Sequence, residues 1–199
     1  MRSLIVRAGD FFGPRAGNNW FSQGLVKPNQ AVHRINQPGQ PGVGHQWSYM
    51  PDVARTMVLL LDREEALETF ACFHMAGHWD ASGTQMIETI QHAVLASGGA
   101  QPKVSRLPWW LMALAGPVVP LFREMQEMRY LWQHPLRMDN ARLVALLGHE
   151  PHTPWSEAVR AALIGQGNLP ASAAPARNMA PTLRPVTQAT RGIDVAQRT

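Results

Sequence analysis

Two pairs of histidines are the first side chains in this sequence whose type and spacing could hold a metal. His74 and His78 lie four positions apart, a spacing that on an α-helix turns two imidazoles to one face for zinc. Gly77 falls between them, and the segment has the pattern of a strand running into a turn, so we expect the rings to point apart. His149 and His152 flank a proline in a loop. The sequence therefore predicts no metal site.

An acidic residue at the end of a strand is a better candidate for ligand binding. Residues 3–8 form a short apolar run that ends at Gly9 and Asp10, which is typical of a buried strand. In an open parallel sheet, ligands bind beyond the carboxyl ends of the strands. Asp10 and Phe11 would lie at such an end, where Gly13 lets the backbone turn away. The alternative is that Asp10 only caps a turn.

The elements around these residues follow from apolar periodicity and from glycine and proline positions. Short apolar runs predict further strands over residues 46–50, 69–75 and 103–107, and helical patterns cover 52–61, 82–97, 139–147 and 154–164. Asn18 or Asn19 would cap a short helix, residues 36–44 form a loop, and residues 109–132 form a helix broken at prolines. Strands that alternate with helices predict an α/β fold.

Composition predicts one packed domain followed by a tail. Of the 199 residues, 45% are hydrophobic and 16% charged, and we expect the domain over residues 1–167. Residues 168–199 are rich in Pro, Ala, Thr and Arg, which predicts disorder. The net charge is +4, and the basic residues behind it are scattered along the chain or lie in this tail, so nucleic acid is not a predicted partner. A lone cysteine, Cys72, and no signal peptide predict the cytoplasm.

Three segments of the chain, taken in order, carry a resemblance to a known family. The first is Arg-Ala-Gly-Asp-Phe-Phe-Gly-Pro at residues 7–14, and the second is Trp-Ser-Tyr-Met-Pro-Asp-Val-Ala-Arg at residues 47–55. The third, residues 139–158, has the pattern of two closing helices. They resemble the strand-end motif, the Asp-Val-Ala helix and the last helix pair of the extended short-chain dehydrogenases/reductases, the NAD-dependent epimerases and dehydratases. The resemblance covers about residues 3–165, which is half of a typical member.

The resemblance implies a fold and a set of site residues. The fold would be a partial Rossmann-like parallel sheet, built from the last strands of the complete sheet, with a small and mostly helical substrate-binding subdomain. NAD or NADP would be the cofactor, with Gly9, Asp10 and Phe11 beside the nicotinamide. The substrate contacts would come from Asp10, Asn19, His45, Trp47 and Tyr49. For Asn19 the alternative is a helix cap, and for the two aromatic residues it is core packing.

His45 departs from the family pattern in a way that bears on the substrate. In members that act on nucleotide sugars, an arginine just before the second segment grips a diphosphate. A neutral imidazole cannot make the bidentate phosphate contact of a guanidinium. The resemblance with this departure favours a small alcohol, ketone or sugar derivative over a nucleotide sugar.

The family's glycine-rich phosphate loop and its catalytic Tyr-x-x-x-Lys pair have no counterpart in the sequence. Tyr49 and Tyr130 are the only tyrosines, and the residues four positions later are Val53 and His134. We therefore expect no catalytic residue in this chain and no turnover by it alone. The expectation is a truncated or split enzyme whose N-terminal half is encoded elsewhere or lost. Which of NAD and NADP it uses, and its oligomeric state, stay open.

Two other functions remain as alternatives. One is a non-catalytic binding module that reuses the substrate-binding half. The other is a peripheral membrane protein, because residues 108–122 are the most apolar segment of the chain and begin with Trp109 and Trp110. These tryptophans could equally cover an apolar pocket or pack against a missing domain. The resemblance favours those two interpretations, so a membrane is not the predicted partner.

Overall fold

Parallel strand pairing organises the computed structural model, which describes residues 2–171. The strands are β1 (Ser3–Arg7), β2 (Asp10–Phe12), β3 (Arg34–Gln37), β4 (His45–Tyr49), β5 (Phe70–His74), β6 (His78–Asp80) and β7 (Lys103–Arg106). The α-helices are α1 (Met50–Leu61), α2 (Gln85–Ala96), α3 (Trp109–Ala115), α4 (Pro120–Glu127), α5 (Ala141–Leu147) and α6 (Trp155–Gly165). A π-helical turn covers Trp20–Leu25, and 3-10 turns cover Glu64–Ala66 and Met128–Trp132.

The strands form three small sheets. β1 pairs with β5, and β3 pairs with β7, both in parallel. The third sheet has the order β2-β4-β6, with β2 parallel and β6 antiparallel to β4. Two residues separate β1 from β2, and three separate β5 from β6, so each of these two chain segments passes from one sheet directly into the next. This arrangement confirms the predicted α/β class with parallel strands.

Two apolar cores hold the elements together. The larger core joins Phe12, Phe21, Trp47 and Ile90 with α6, all of them fully or almost fully buried. The smaller core lies on one face of the β1-β5 sheet, where Val53 and Leu60 of α1 meet Leu143 of α5 and the inward side chains of β5. Asp52 links α1 to the start of α6, because its carboxylate accepts hydrogen bonds from Thr153 N and Oγ1 at 2.7 and 2.8 Å.

The opposite face of the β1-β5 sheet is bare within the described residues. Phe70 is 61% exposed and Ile5 is 38% exposed, and Cys72, which pairs with Ile5 in the register, is only half-buried. Residues 3–7 therefore form a strand with a parallel partner, as predicted, but the prediction that this strand is buried is wrong for one of its faces. Parallel sheets are normally covered on both faces and flanked on both sides. Here β5 is the strand that pairs with β1 among residues 2–171.

Most of the longer elements match their predictions. The α1 helix begins at Met50 with a proline in its first turn, and the broken helix over residues 109–132 divides into α3, α4 and a 3-10 turn. Asn19 caps the first helical turn as one of the two predicted candidates. Strand β3 contradicts the loop predicted over residues 36–44, since Asn36 and Gln37 pair with β7. Strands β2 and β6 are three residues long and carry no visible periodicity.

The packed structure continues past residue 167. Asn168 is buried and donates hydrogen bonds from Nδ2 to Lys27 O and Gln30 O, both at 2.7 Å, and Leu169 belongs to the larger core. The predicted tail from residue 172 onward lies outside the described residues. Within residues 2–171, no helix has the length and apolar character that a bilayer crossing requires.

Candidate functional site

A cleft of about 320 Å³ opens beyond the carboxyl end of β1. It lies between the link from β1 to β2, the start of β4 and the segment that follows α4. Its lining consists of Ala8, Gly9, Asp10, Phe11, His45, Gln46, Met128, Leu131, Leu136 and Met138. The volume is at the lower end of the range for small-molecule sites. Four of the seven predicted site residues, Gly9, Asp10, Phe11 and His45, therefore meet in one place.

Gly9 brings the β1–β2 segment close to the neighbouring strand. A side chain at this position would collide with the carbonyl group of Gln46, so only glycine allows the two backbones to approach in this way. The Gln46 side chain fixes the floor of the cleft. Its Nε2 donates to Met75 O and Ala76 O, both at 2.7 Å, and its Oε1 accepts from Met138 N at 2.8 Å. With these bonds made, Gln46 has a structural role in the cleft.

Asp10 and His45 form a direct pair in the cleft. His45 Nε2 lies 2.7 Å from Asp10 Oδ2, and the other ring nitrogen, Nδ1, lies 3.3 Å from Leu131 O. Both ring nitrogens therefore face oxygen acceptors. A neutral imidazole has one N–H, so only the doubly protonated ring donates to both oxygens at once. The imidazole of His45 is thus held between the carboxylate of Asp10 and the Leu131 carbonyl.

The His45 ring is stacked on Trp132. The ring centroids of His45 and Trp132 are 3.7 Å apart and the planes differ by 6°, while the Trp47 ring, which also touches Trp132, meets His45 edge-on at 4.9 Å. The stack fixes the orientation of the imidazole toward Asp10. His45 is 8% exposed, so the pair has little room to rearrange.

The remaining wall of the cleft is apolar. Phe11 is 42% exposed, and Met128, Leu131 and Leu136 face it from the segment after α4. No lysine or arginine lines the cleft among the described residues. The cleft therefore offers one carboxylate, one imidazole and a broad apolar surface, which suits a small and largely uncharged ligand.

Three other predicted site residues lie away from the cleft. Trp47 and Tyr49 are buried in the larger core at 2% and 7% exposure. Burial, with Asp52 nearby, raises the pKa of the Tyr49 phenol above its usual value, although the Arg55 charge opposes this shift. Asn19 accepts a hydrogen bond from Ser22 N at 2.8 Å as a helix cap. All three positions correspond to the structural alternatives considered for them.

No sequence pattern indicates the residues that complete the cleft. Trp132, Leu131 and Leu136 come from a segment about ninety positions after His45 in the chain. The helical spacing of Met128 and Trp132 predicts core residues, yet Met128 is 43% exposed beside the cleft. No local pattern distinguishes a residue that stacks on a distant imidazole from one that packs in a core.

A pair of histidines, His78 and His152, lies beside Phe12 of the larger core. His78 is 3% exposed, with its ring 4.3 Å from that of His152 and 4.8 Å from that of Trp155, and its Nε2 has no hydrogen-bond partner. Burial, and then the neighbouring His152 charge, lower the pKa of His78 to about 4. The described residues contain no group of three or more side chains arranged to hold a metal ion.

Comparison with solved structures relates this arrangement to portions of larger proteins. The chain is similar to RMD from Pseudomonas aeruginosa complexed with NADPH, at 17% identity and a TM-score of 0.51, over 83% of this chain and 48% of that one. A UDP-galactose 4-epimerase matches at 14% identity and a TM-score of 0.47, over 83% and 45% of the two chains. UDP-glucuronic acid 4-epimerase from Bacillus cereus matches at 17% identity and a TM-score of 0.48, over 80% of this chain and 43% of that one. No family model and no curated protein matches the chain.

The match to RMD defines the class of fold. At 17% identity, the similarity to RMD shows the fold alone, which is a Rossmann-like mixture of parallel strands and helices. The chain spans about half the length of the solved structures it matches. The described residues thus form a portion of that α/β fold, with the cleft beyond the end of a parallel strand.

Proposed function

We propose that this chain is the substrate-binding half of an NAD(P)-dependent oxidoreductase, epimerase or dehydratase, with the cleft around Asp10 and His45 as its substrate site. The observation that carries the proposal is the position of this cleft at the carboxyl end of the parallel strand β1. Ligands of open parallel sheets bind at such ends, because the loops there diverge and leave a crevice. The similarity in fold to a protein complexed with NADPH supports the same interpretation.

In this proposal the nicotinamide ring lies along residues 9–11. The backbone of Gly9 lines the cleft, and the exposed ring of Phe11 offers a flat apolar surface. The rest of the cofactor would bind to an N-terminal half that carries a glycine-rich loop and a Tyr-x-x-x-Lys pair. Without those groups, the chain binds a cofactor weakly and does not turn over substrate by itself.

The substrate we propose is a small alcohol, ketone or sugar derivative without a diphosphate. The described lining of the cleft has no guanidinium or ammonium group, and its one carboxylate is paired with His45. A diphosphate buried there would lack the bidentate partners that stabilise it. The free oxygen of Asp10, Oδ1, remains available to accept a hydrogen bond from a substrate hydroxyl.

The bare face of the β1-β5 sheet is where the N-terminal half would pack. Ile5 and Phe70 are apolar and exposed there, and β1 has an unpaired edge among the described strands. A two-stranded sheet with one face in water is marginally stable by itself. Covering it with further strands and helices would complete a sheet of ordinary size. A reducing compartment, the cytoplasm, suits a chain with a single cysteine.

The first test is the DNA upstream of the codon for Met1. We expect it, or a separate gene, to encode a glycine-rich loop after a strand and a Tyr-x-x-x-Lys pair. The joined protein should then catalyse a nicotinamide-dependent reaction that the chain alone does not. If no such sequence exists and the chain still binds small molecules, the non-catalytic binding module replaces the enzyme proposal.

The second test uses the chain itself. Titration with NADPH, followed by amide NMR signals, should shift the resonances of residues 9–11 and of His45. Asp10→Asn should alter these shifts, whereas Asp62→Asn, on the exposed end of α1, should leave them unchanged. Shifts centred on any other surface would contradict the assignment of the cleft.

A further inference from the structure

Helices α3 and α4 form a hairpin that projects apolar side chains into solvent. Gln126 Nε2 donates to Trp109 O at 2.8 Å, which joins the two ends of the hairpin at its base. The turn at residues 116–119 forms its tip. We call the whole unit, residues 109–127, the apolar hairpin. From residue 107 to residue 122 the chain contains no charged side chain.

Large apolar side chains are exposed along the whole apolar hairpin, from Trp110 near its base to Val118 at its tip. Val118 is 83% exposed, Leu114 is 72% and Trp110 is 71%, while Leu121 is 56% exposed on the second helix. Water-soluble surfaces rarely gather large apolar side chains at such exposure without a function, since each costs free energy in water. Exposed apolar side chains on both helices and on the turn between them suit burial in an apolar phase.

Basic side chains surround the base of the same hairpin. Lys103 and Arg106 lie on β7 just before it, and both are exposed. The guanidinium of Arg129 lies 5.6 Å from the centre of the Trp109 ring at the base, whereas Arg123 lies on the first turn of α4, beside Gly116. Glu124 and Glu127 lie on the second half of α4, so three cations at the base face two anions. The charge at the base is therefore net positive, and the turn at residues 116–119 carries no charge.

We propose that the apolar hairpin inserts into the interfacial layer of a bilayer that contains anionic phospholipids. Apolar side chains with tryptophan at one level and lysine or arginine above it are the pattern of interfacial anchors. The seven residues of α3 extend about 10 Å, which matches the depth that such anchors reach. The basic side chains at the base would then lie among the headgroups. This inference does not depend on the proposed enzymatic function.

A lipid surface accounts for these observations better than a second copy of the chain or the proposed N-terminal half. A protein partner is matched by a flat, well-packed patch with polar groups at its rim. The bare sheet face already provides an apolar surface for the N-terminal half, and it belongs to a different sheet from β7, the strand that leads into the hairpin. A headgroup layer, by contrast, matches both the uncharged tip and the cationic base.

The experiment measures binding of the full 199-residue chain to vesicles by flotation. The vesicles contain either one part phosphatidylglycerol to three parts phosphatidylcholine, or phosphatidylcholine alone. The double variant Leu114→Ser with Val118→Ser removes the apolar tip. The matched control is Val58→Ser with Leu61→Ser on α1, two side chains that are 57% and 58% exposed. All four side chains are largely in water, so both variants should fold, which circular dichroism checks.

We expect the tip variant to lower the partition coefficient on anionic vesicles by at least about tenfold, because burial of each large apolar side chain favours the bound state by about that factor. The α1 control should bind like the wild-type chain. Binding should also fall several-fold on phosphatidylcholine alone or at about 0.5 M salt, where screening removes the headgroup attraction. A spin label at Val118→Cys in a Cys72→Ser background should report a depth within the bilayer.

Several outcomes would overturn the inference. The arginines at 177, 184, 191 and 198 could bind anionic vesicles by themselves, and in that case the tip variant would bind as well as the wild type. No flotation at all would exclude a lipid surface. If sedimentation without lipid showed that the wild-type chain is a dimer and the tip variant a monomer, the hairpin would be an interface between two copies. Equal binding to anionic vesicles and to phosphatidylcholine vesicles would refute the role of the basic side chains at the base of the hairpin.

Discussion

Acidification should destabilise this protein through one buried histidine. His78 is 3% exposed between Phe12, His152 and Trp155, and its pKa in the folded protein is about 4. In the unfolded chain a histidine titrates at about 6.5. The unfolded state therefore takes up the proton first as the pH falls. Stability is full above about pH 6.5, is lost progressively down to about pH 4, and changes no further through His78 below that.

The size of this loss follows from the two pKa values. At pH 5 the unfolded histidine is almost fully protonated and the folded one mostly neutral, which corresponds to about 2 kcal/mol of lost stability relative to pH 7.5. Urea unfolding at both pH values measures it. His78→Phe keeps a ring of similar size and has no proton to bind, so its loss over this interval should be smaller than that of the wild type by about 2 kcal/mol.

A second variant separates burial from charge. The charge on His152 is the second cause of the low pKa of His78, and His152 is itself exposed. His152→Gln should therefore raise the pKa of His78 and reduce the acid-induced loss without abolishing it. If His78→Phe lost as much stability as the wild type between the two pH values, the proposed role of His78 in acid sensitivity would be refuted.

Three further substitutions test how the structure positions its elements, each by urea unfolding at neutral pH. Asp52→Ala should cost about 3 kcal/mol, because it leaves the buried Thr153 N–H without an acceptor; Asp62→Ala, at an exposed position, should cost little. Gly9→Ala should also cost about 3 kcal/mol, since its Cβ meets the Gln46 carbonyl, and an unchanged midpoint would contradict that close approach. Glu150→Ala removes the acceptor of the Ala76 and Gly77 amides and should cost about 2 kcal/mol, with Glu150→Gln restoring part of it.

The sequence predicts the longer elements well because their signals are local. The proline in the first turn of α1, the apolar run of β5 and the prolines around residues 117–120 each mark an element within a few positions. Strand β3 is different. Its residues Arg-Ile-Asn-Gln show no strong strand propensity, and they are extended because β7 pairs with them. Pairing with a segment so far along the chain has no local signature.

The site was predictable in part for the same reason. Gly9, Asp10 and Phe11 follow a visible strand, so their place at its end could be inferred. The position of His45 could be predicted from its place just before the second family segment. Its stacking partner, Trp132, could not be predicted, because that contact depends on how the segment after α4 folds back. Trp47 and Tyr49 alternate with residues on the other face of a strand, and the sequence does not indicate which face meets a ligand.

The order in which the strands pair has a consequence for how the chain folds. Ser3 pairs with Phe70 and Arg34 pairs with Lys103, so no sheet in the described range joins strands that are close neighbours in sequence. The chain loses conformational entropy when it closes these long loops, and this loss comes before the first ladder contributes any hydrogen bonds. Folding should therefore be slow for a domain of this size. During that delay, unpaired strand edges are open to intermolecular pairing, and refolding yields should fall steeply as protein concentration rises.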